Sequence, residues 1–170
     1  VPSSTADETS VVGEYGITLA AGSDNNYTIT NSDGKLTVTK KTLTATAASV
    51  SKVYGAAVPV IGVKYDGFVN GDDELDIDTA PTTSTVATAT SPVVTGGYVT
   101  SAVGGVDDNY SFTYVNGVLN VTQAAATLTI TGASQQYTGE PIPVTITTNP
   151  SGLESGVVVT YDGSSAVPSA

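Results

Sequence analysis

Short runs in which apolar and polar residues alternate recur along the chain. Alternation at period two is typical of a β-strand with one face buried and the other in solvent. Four runs show it most clearly: Leu36–Thr39, Leu43–Ala47, Leu119–Thr122 and Thr127–Thr131. Only Asn70–Ile77 suits a helical turn, with Asn70 or Asp72 as its N-terminal cap. The pattern therefore predicts an all-β protein.

Two short turn sequences separate strand-like runs. Asp33-Gly34 and Asn116-Gly117 are both of the Asx-Gly type, which favours the type I′ turn of a two-residue β-hairpin. We therefore predict a hairpin at each of these positions.

The sequence also repeats itself at a spacing of 83 residues. Residues 13–39 align without a gap on residues 96–122, and 11 of the 27 aligned positions are identical. This spacing predicts three segments: the back half of a repeat at 1–39, a complete repeat at 40–122, and the front half of a related repeat at 123–170. Half of a small β domain leaves a bare strand edge. Structural boundaries offset from these segments, or halves exchanged between chains, are therefore alternatives.

The residue types that are missing exclude several classes of chemistry. The chain has no Cys, His, Met, Trp or Arg, and its net charge is -11. Without Cys and His there is no thiolate nucleophile, no disulfide and no usual zinc site. The strong negative charge argues against binding of nucleic acid, and no apolar stretch is long enough to insert into a membrane. We therefore expect no enzyme activity.

Several of the repeated sequences are distinctive as motifs. They are Leu43–Ala47 with Lys52–Gly55, Tyr65–Asp72, Ser91–Val93 before Gly97-Tyr98, Asp108–Tyr110, Gly117–Thr122, Tyr137–Gly139 and Tyr161–Gly163. Together they resemble the MBG/YDG-type repeat modules over essentially the whole chain. The resemblance implies tandem extracellular modules of large bacterial surface proteins and adhesins. It also implies a small immunoglobulin-like β-sandwich, with a β-grasp-like module around Asn70–Ile77 as the alternative.

An acidic run offers the best candidate for a metal site. Its carboxylates belong to Asp72, Asp73, Glu74, Asp76 and Asp78, and Gly71 precedes them. Clustered carboxylate oxygens on a bent loop are the ligands that Ca²⁺ prefers, although the spacing does not match an EF-hand loop. We therefore name these five residues as candidate Ca²⁺ ligands. The alternative is a strand with a solvated acidic face.

Aromatic and lysine side chains offer two further possibilities. Most tyrosines fall in repeat-equivalent pairs, which favours structural packing, whereas Phe68 and Tyr114 do not. We therefore name Phe68 and Tyr114 as candidate ligand-binding residues. Lys52 or Lys64 beside Asn109 or Asn120 would suit a Lys–Asn isopeptide bond, and the alternative is that these lysines are solvated or guard a strand edge.

The combined expectation is a non-catalytic stalk or spacer region of a bacterial cell-surface adhesin-like protein, located outside the cell. Its partners would be the neighbouring repeat modules. One alternative is an adhesin module that binds a glycan or protein ligand. The other is a structural subunit that associates with itself by strand exchange instead of staying monomeric.

Overall fold

A computed structural model describes residues 2–136, 140, 143–161, 164–165 and 167. The strands are β1 (Pro2–Ser4), β2 (Gly13–Leu19), β3 (Gly34–Val38), β4 (Lys41–Ala47), β5 (Val50–Val53), β6 (Val63–Asp66), β7 (Thr82–Thr85), β8 (Tyr98–Val103), β9 (Tyr110–Val115), β10 (Gly117–Thr122), β11 (Thr127–Thr131) and β12 (Thr145–Asn149). The only helical element in these residues is a 3-10 turn at Glu154–Gly156. The all-β prediction is confirmed.

The chain divides into two compact units, residues 1–123 and 124–170. The first unit contains three sheets. Sheet 1 has the strand order β1-β2-β3, sheet 2 has the order β6-β4-β9, and sheet 3 has the order β5-β10-β8-β7. The second unit contains the antiparallel pair β11-β12. The Tyr137–Gly139 motif and the Asp162-Gly163 pair lie outside the described residues.

Two bent strands join sheets 2 and 3 into one sandwich-like module. β4 continues into β5 after two residues, and β9 continues into β10 after one. β4 pairs in parallel with β9 in sheet 2, and β5 pairs in parallel with β10 in sheet 3. Strands that bend from one sheet into the other form the corners of such sandwiches. The strands from the start of the module, β4 and β5, therefore lie beside the strands from its end, β9 and β10.

Gly117 lies at the bend between β9 and β10. A Cβ atom there would overlap the carbonyl oxygen of Ala47 and lie 2.7 Å from the Oγ1 of Thr100. Only glycine lets the two bent strands approach this closely. The hairpin predicted at Asn116-Gly117 is therefore wrong, because β9 and β10 belong to different sheets. The hairpin at Asp33-Gly34 is also wrong, since residues 27–33 form no strand.

The core of the module consists of small apolar clusters along these strands. Its buried members are Leu43, Ile77 and Tyr110 in one cluster, Ala47, Ile61 and Ala102 in a second, and Ala87, Leu119 and Val121 in a third. Every strand residue in this set follows the period-two pattern of its strand. The alternation seen in the sequence therefore selects the buried face correctly.

Residues 70–77 form turns rather than a helix. Asn70 and Gly71 have φ angles of 59° and 88°, in the left-handed region, so the backbone reverses where a helix would begin. The β-grasp-like alternative lacks its helix for this reason, and the observed module is the β-sandwich. In the described part of the chain, no helix is long and apolar enough to cross a membrane.

Sheet 1 repeats three of the four strands of sheet 3 in the same register. Tyr15 of β2 lies opposite Leu36 of β3, as Tyr98 of β8 lies opposite Leu119 of β10. These two pairs are related by the 83-residue spacing. Strand β3 is therefore the counterpart of β10, and β2 is the counterpart of β8.

The third shared strand is β1, the counterpart of β7. Ser3 of β1 lies opposite Thr18, and their hydroxyl oxygens are 3.1 Å apart. Ser84 of β7 lies opposite Ser101 with a hydroxyl separation of 3.2 Å. The strand of sheet 3 that sheet 1 lacks is β5, which pairs with the outer edge of β10.

Candidate functional site

The acidic loop, residues 72–78, bonds mainly to main-chain N–H groups. Within the loop, the Oδ1 of Asp73 accepts the N–H of Leu75 at 2.7 Å, and the Oδ2 of Asp76 accepts the N–H of Asp73 at 2.8 Å. These are local Asx-type bonds that hold a reversing backbone. The two carboxylates therefore shape the loop.

Asp78 and Asp107 join this loop to the start of β9. The Oδ2 of Asp78 accepts the N–H of Asp108 at 2.9 Å. Asp107 is 5% exposed, and its Oδ1 accepts the N–H groups of Asn109 and Tyr110 at 2.7 and 2.8 Å. A buried carboxylate needs such donors, because burying it without them is unfavourable. Asp107 thus fixes the turn from which β9 begins.

The hydroxyl of Tyr110 connects the loop to the core. It donates to the Oδ2 of Asp72 at 2.7 Å and accepts the N–H of Val69 at 3.1 Å, while the ring is buried against Leu43. Burial raises the pKa of the Tyr110 hydroxyl, and the neighbouring Asp72 carboxylate raises it further. Tyr110 therefore acts as a neutral donor at physiological pH.

The five candidate Ca²⁺ ligands do not converge on one point. Asp72, Asp73, Asp76 and Asp78 each accept a hydrogen bond from a different group. Glu74 lies near Tyr65, whose pKa is raised first by burial and then by the Glu74 charge. Among the described residues, no group of three or more His, Cys, Asp or Glu side chains is placed to hold a metal ion. Binding of Ca²⁺ by these residues stays a prediction.

The two candidate ligand-binding aromatics have different surroundings. Phe68 packs between Tyr65 and Tyr110, with ring centroids 5.8 and 5.5 Å away, and belongs to the core. Tyr114 is 36% exposed and stacks on Phe112 at 6.2 Å, and its hydroxyl accepts the N–H of Gly105 at 2.9 Å. Phe68 is thus partly buried against the core cluster, and ligand-binding roles for Phe68 and Tyr114 both stay predictions.

Lys52, named above for a possible isopeptide bond, is a buried polar residue, and its burial was not predicted from the sequence. It is 6% exposed on β5, and its Nζ donates to the main-chain oxygens of Ala89 and Ala56 at 2.9 and 3.0 Å and of Val53 at 3.4 Å. Its ammonium thus bonds to carbonyl oxygens rather than to the side chain of Asn109 or Asn120. The signal available in the sequence was the alternation of Val50 and Lys52, which places both on the inner face.

The first unit also contains a hydrogen-bonded joint between residues 1–39 and the complete repeat. The Oδ1 of Asn109 accepts the N–H of Val12 across the joint at 3.0 Å, and within the complete repeat the Nζ of Lys40 donates to the main-chain oxygen of Asp107 at 2.6 Å. A cleft of about 590 Å³ lies beside this joint, lined partly by Val12, Lys41 and Tyr110. The polar groups of the joint and the loop therefore connect backbone segments to each other.

These features define a class of protein, namely small all-β repeat modules whose polar side chains support the backbone. Comparison with known families agrees: the chain matches the MBG domain (YGX type) at residues 2–37 and 43–120, and the MBG domain at residues 126–170. The chain belongs to the MBG domain family, which confirms the resemblance seen in the sequence. No curated protein and no solved structure matched the chain. MBG domains occur in surface proteins and are not known enzymes.

Proposed function

We propose that this chain is a non-catalytic spacer region of an extracellular, adhesin-like bacterial surface protein. Membership of the MBG family supports a surface location. The use of the loop carboxylates, Tyr110 and Lys52 in internal hydrogen bonds supports a structural role over a catalytic one. The net charge of -11 favours a soluble monomer, because like-charged chains repel one another.

The joint within the first unit carries this proposal. Only Thr39 and Lys40 separate β3 from β4. The bond from the Val12 N–H to Asn109 connects the two sides of this short link, and the bond from Lys40 to the oxygen of Asp107 holds the link itself to the complete repeat. A link of two residues, with one hydrogen bond across it and one from Lys40 to the complete repeat, restricts rotation, and a spacer that projects a distal domain needs this stiffness. Neighbouring repeats are accordingly the partners of each module.

Pulsed electron paramagnetic resonance tests the stiffness of the joint. The chain has no cysteine, so Thr37→Cys and Ser111→Cys place one exposed spin label on each side of it. We expect a narrow distance distribution that broadens with Asn109→Ala. Asn26→Ala is the matched control, because Asn26 is the exposed repeat counterpart of Asn109 and should leave the distribution unchanged. A broad distribution in the parent double-cysteine chain would refute the stiff-spacer proposal.

A binding screen separates the spacer from an adhesin module that binds a ligand. Glycan and host-protein arrays probed with the full chain should give no specific signal. Saturable binding that Tyr114→Ala abolishes would contradict the spacer role, since Tyr114 is the partly exposed aromatic candidate.

A further inference from the structure

Residues 1–39 form only the strands whose pairing partners also lie within residues 1–39. β2 and β3 pair with each other, as their counterparts β8 and β10 do. The counterpart of β9 is residues 27–32, which form no strand. In the complete repeat β9 has β4 as its only neighbour, and β4 belongs to the front half. Residues 27–32 therefore lack the partner against which they would pair.

The second unit shows the same relation for a segment that corresponds to the front half of the repeat. Residues 133–136 are the counterpart of β5 by the 83-residue spacing, and they form no strand either. The only neighbour of β5 in the complete repeat is β10, which belongs to the back half. Both segments whose counterparts pair with the other half of the complete repeat therefore form no strand.

Residues that the missing half would cover are exposed in sheet 1 and beside it. Tyr27 is 76% exposed, whereas its counterpart Tyr110 is 4% exposed. Leu36 is 41% exposed, whereas its counterpart Leu119 is fully buried. The exposed apolar surface lies along the edge of β3 where sheet 3 carries β5. This exposed surface therefore corresponds to the surface that the front half covers in the complete repeat.

Gly34 marks the place that the missing strand would occupy. A Cβ on its counterpart Gly117 would overlap the backbone of Ala47 in the front half. A Cβ on Gly34 meets only the side chain of Ile17, at an ordinary distance of 3.7 Å. In the complete repeat, glycine at this position allows the close approach of a bent strand. Sheet 1 has the same glycine, Gly34, but no described bent strand approaches it.

Local features of the complete repeat are retained around this edge. The Oδ1 of Asp24 accepts the N–H of Asn26 at 2.8 Å, like Asp107 with Asn109. Ile29 covers Gly22, as its counterpart Phe112 covers Gly105. The half repeat is thus already arranged like the back half of a complete one.

We infer that the outer edge of β3 and residues 27–32 form an acceptor site for the front half of a YGX-type MBG repeat, a polypeptide with the chemistry of Lys41–Val53. It binds as a bent strand parallel to β3 and to residues 27–32, as β4 and β5 bind β9 and β10. In the complete repeat the front half runs directly into β7, the counterpart of β1, so a donor segment joined ahead of β1 can reach the site. This acceptor site does not depend on the spacer role.

Extension of the full chain tests the site. A second copy of residues 40–81 is joined to Val1, and amide hydrogen exchange is followed by NMR. We expect exchange at Gly34–Val38 to slow by at least about tenfold, and strand-like chemical shifts to appear at residues 27–32. Unchanged amide signals of β10 report that the complete repeat remains folded.

Gly34→Ala supplies the matched control. In the parent chain it should change nothing, but in the extended chain it should abolish the slower exchange, because the added Cβ blocks the bent strand. If the extension fails to fold, the separate polypeptide 40–81 added to the labelled parent chain must produce the same changes. Unaltered exchange with both forms of the donor overturns the inference. Self-association of the parent chain in which Gly34–Val38 pairs with a segment other than Lys41–Val53 of the second copy also overturns it, because the occupant would then have a different chemistry.

Discussion

Removing the hydroxyl of Tyr110 tests whether the acidic loop supports the fold. Tyr110→Phe keeps the ring in the core but deletes the donor to Asp72 and the acceptor for the Val69 N–H. Tyr27→Phe is the matched change in the preceding repeat, since Tyr27 is 76% exposed and its hydroxyl makes no hydrogen bond to a described residue. The pair isolates the effect of the hydroxyl in the folded environment.

The magnitude follows from the two lost hydrogen bonds. A hydrogen bond to a charged group contributes about 1.5–3 kcal/mol, and a neutral one contributes about 1 kcal/mol. Asp72 is only partly buried and can be rehydrated, so the combined loss falls below the sum. We expect Tyr110→Phe to lower the free energy of unfolding of the first unit by about 2 kcal/mol. The melting temperature should fall by roughly 5–10 °C.

Urea unfolding followed at the amide of Leu43 measures this change in the first unit directly. Tyr27→Phe should change the free energy of unfolding by less than about 0.5 kcal/mol. Asp72→Ala should destabilise the parent chain by about 1 kcal/mol more than it destabilises Tyr110→Phe, because the two side chains share one bond. Equal effects of the two Tyr→Phe changes, or additive effects of Tyr110→Phe and Asp72→Ala, would refute the reasoning.

Four further measurements probe the same module. Lys52→Met should lower the free energy of unfolding by about 2 kcal/mol in urea titrations, because the bonds from the Lys52 ammonium to three main-chain oxygens are lost, although the oxygens of Val53 and Ala89 keep main-chain donors. Gly117→Ala should lower it by at least about 3 kcal/mol, whereas Gly34→Ala stays within about 0.5 kcal/mol. The raised pKa of Tyr110 stabilises the fold below about pH 10, and this contribution is lost as the pH rises through the folded-state pKa. Stability curves of the parent and Tyr110→Phe chains should therefore converge above pH 10. Millimolar CaCl₂ in place of EDTA should move the melting temperature by less than about 1 °C, and a larger shift would support the Ca²⁺ prediction.

Strands and buried faces could be predicted because alternation is a local signal. Leu43 and Leu119 sit at alternating positions, and both are fully buried. The identical pattern around Leu36 predicts a strand correctly, yet Leu36 is 41% exposed. Its counterpart Leu119 packs with Val50 of β5, whereas sheet 1 has no strand in that position, and no pattern within β3 reports this difference.

The bent strands and the polar interior could not be predicted from local sequence. Asn116-Gly117 has the sequence of a hairpin turn, but Gly117 is required by the close approach of Ala47, which is distant in the sequence. Lys52 is buried because Ala89 and Ala56 present carbonyl oxygens to its ammonium. In both cases a long-range contact determines the role of the residue, and residue type alone suggests a different one.

The turn at Asp107–Asn109 links the stability of the module to the stiffness of the joint. Asp107 accepts the N–H of Tyr110, which starts β9, and its main-chain oxygen accepts the Lys40 ammonium. Asn109 accepts the N–H of Val12 across the joint. A force that pulls residues 1–39 from the complete repeat therefore acts on the turn from which β9 begins. Because β9 lies parallel to β4 over six residue pairs, tension between the start of β4 and the end of β10 shears a whole ladder of hydrogen bonds at once. Parallel pairing of β4 with β9 would thus suit the spacer role proposed above.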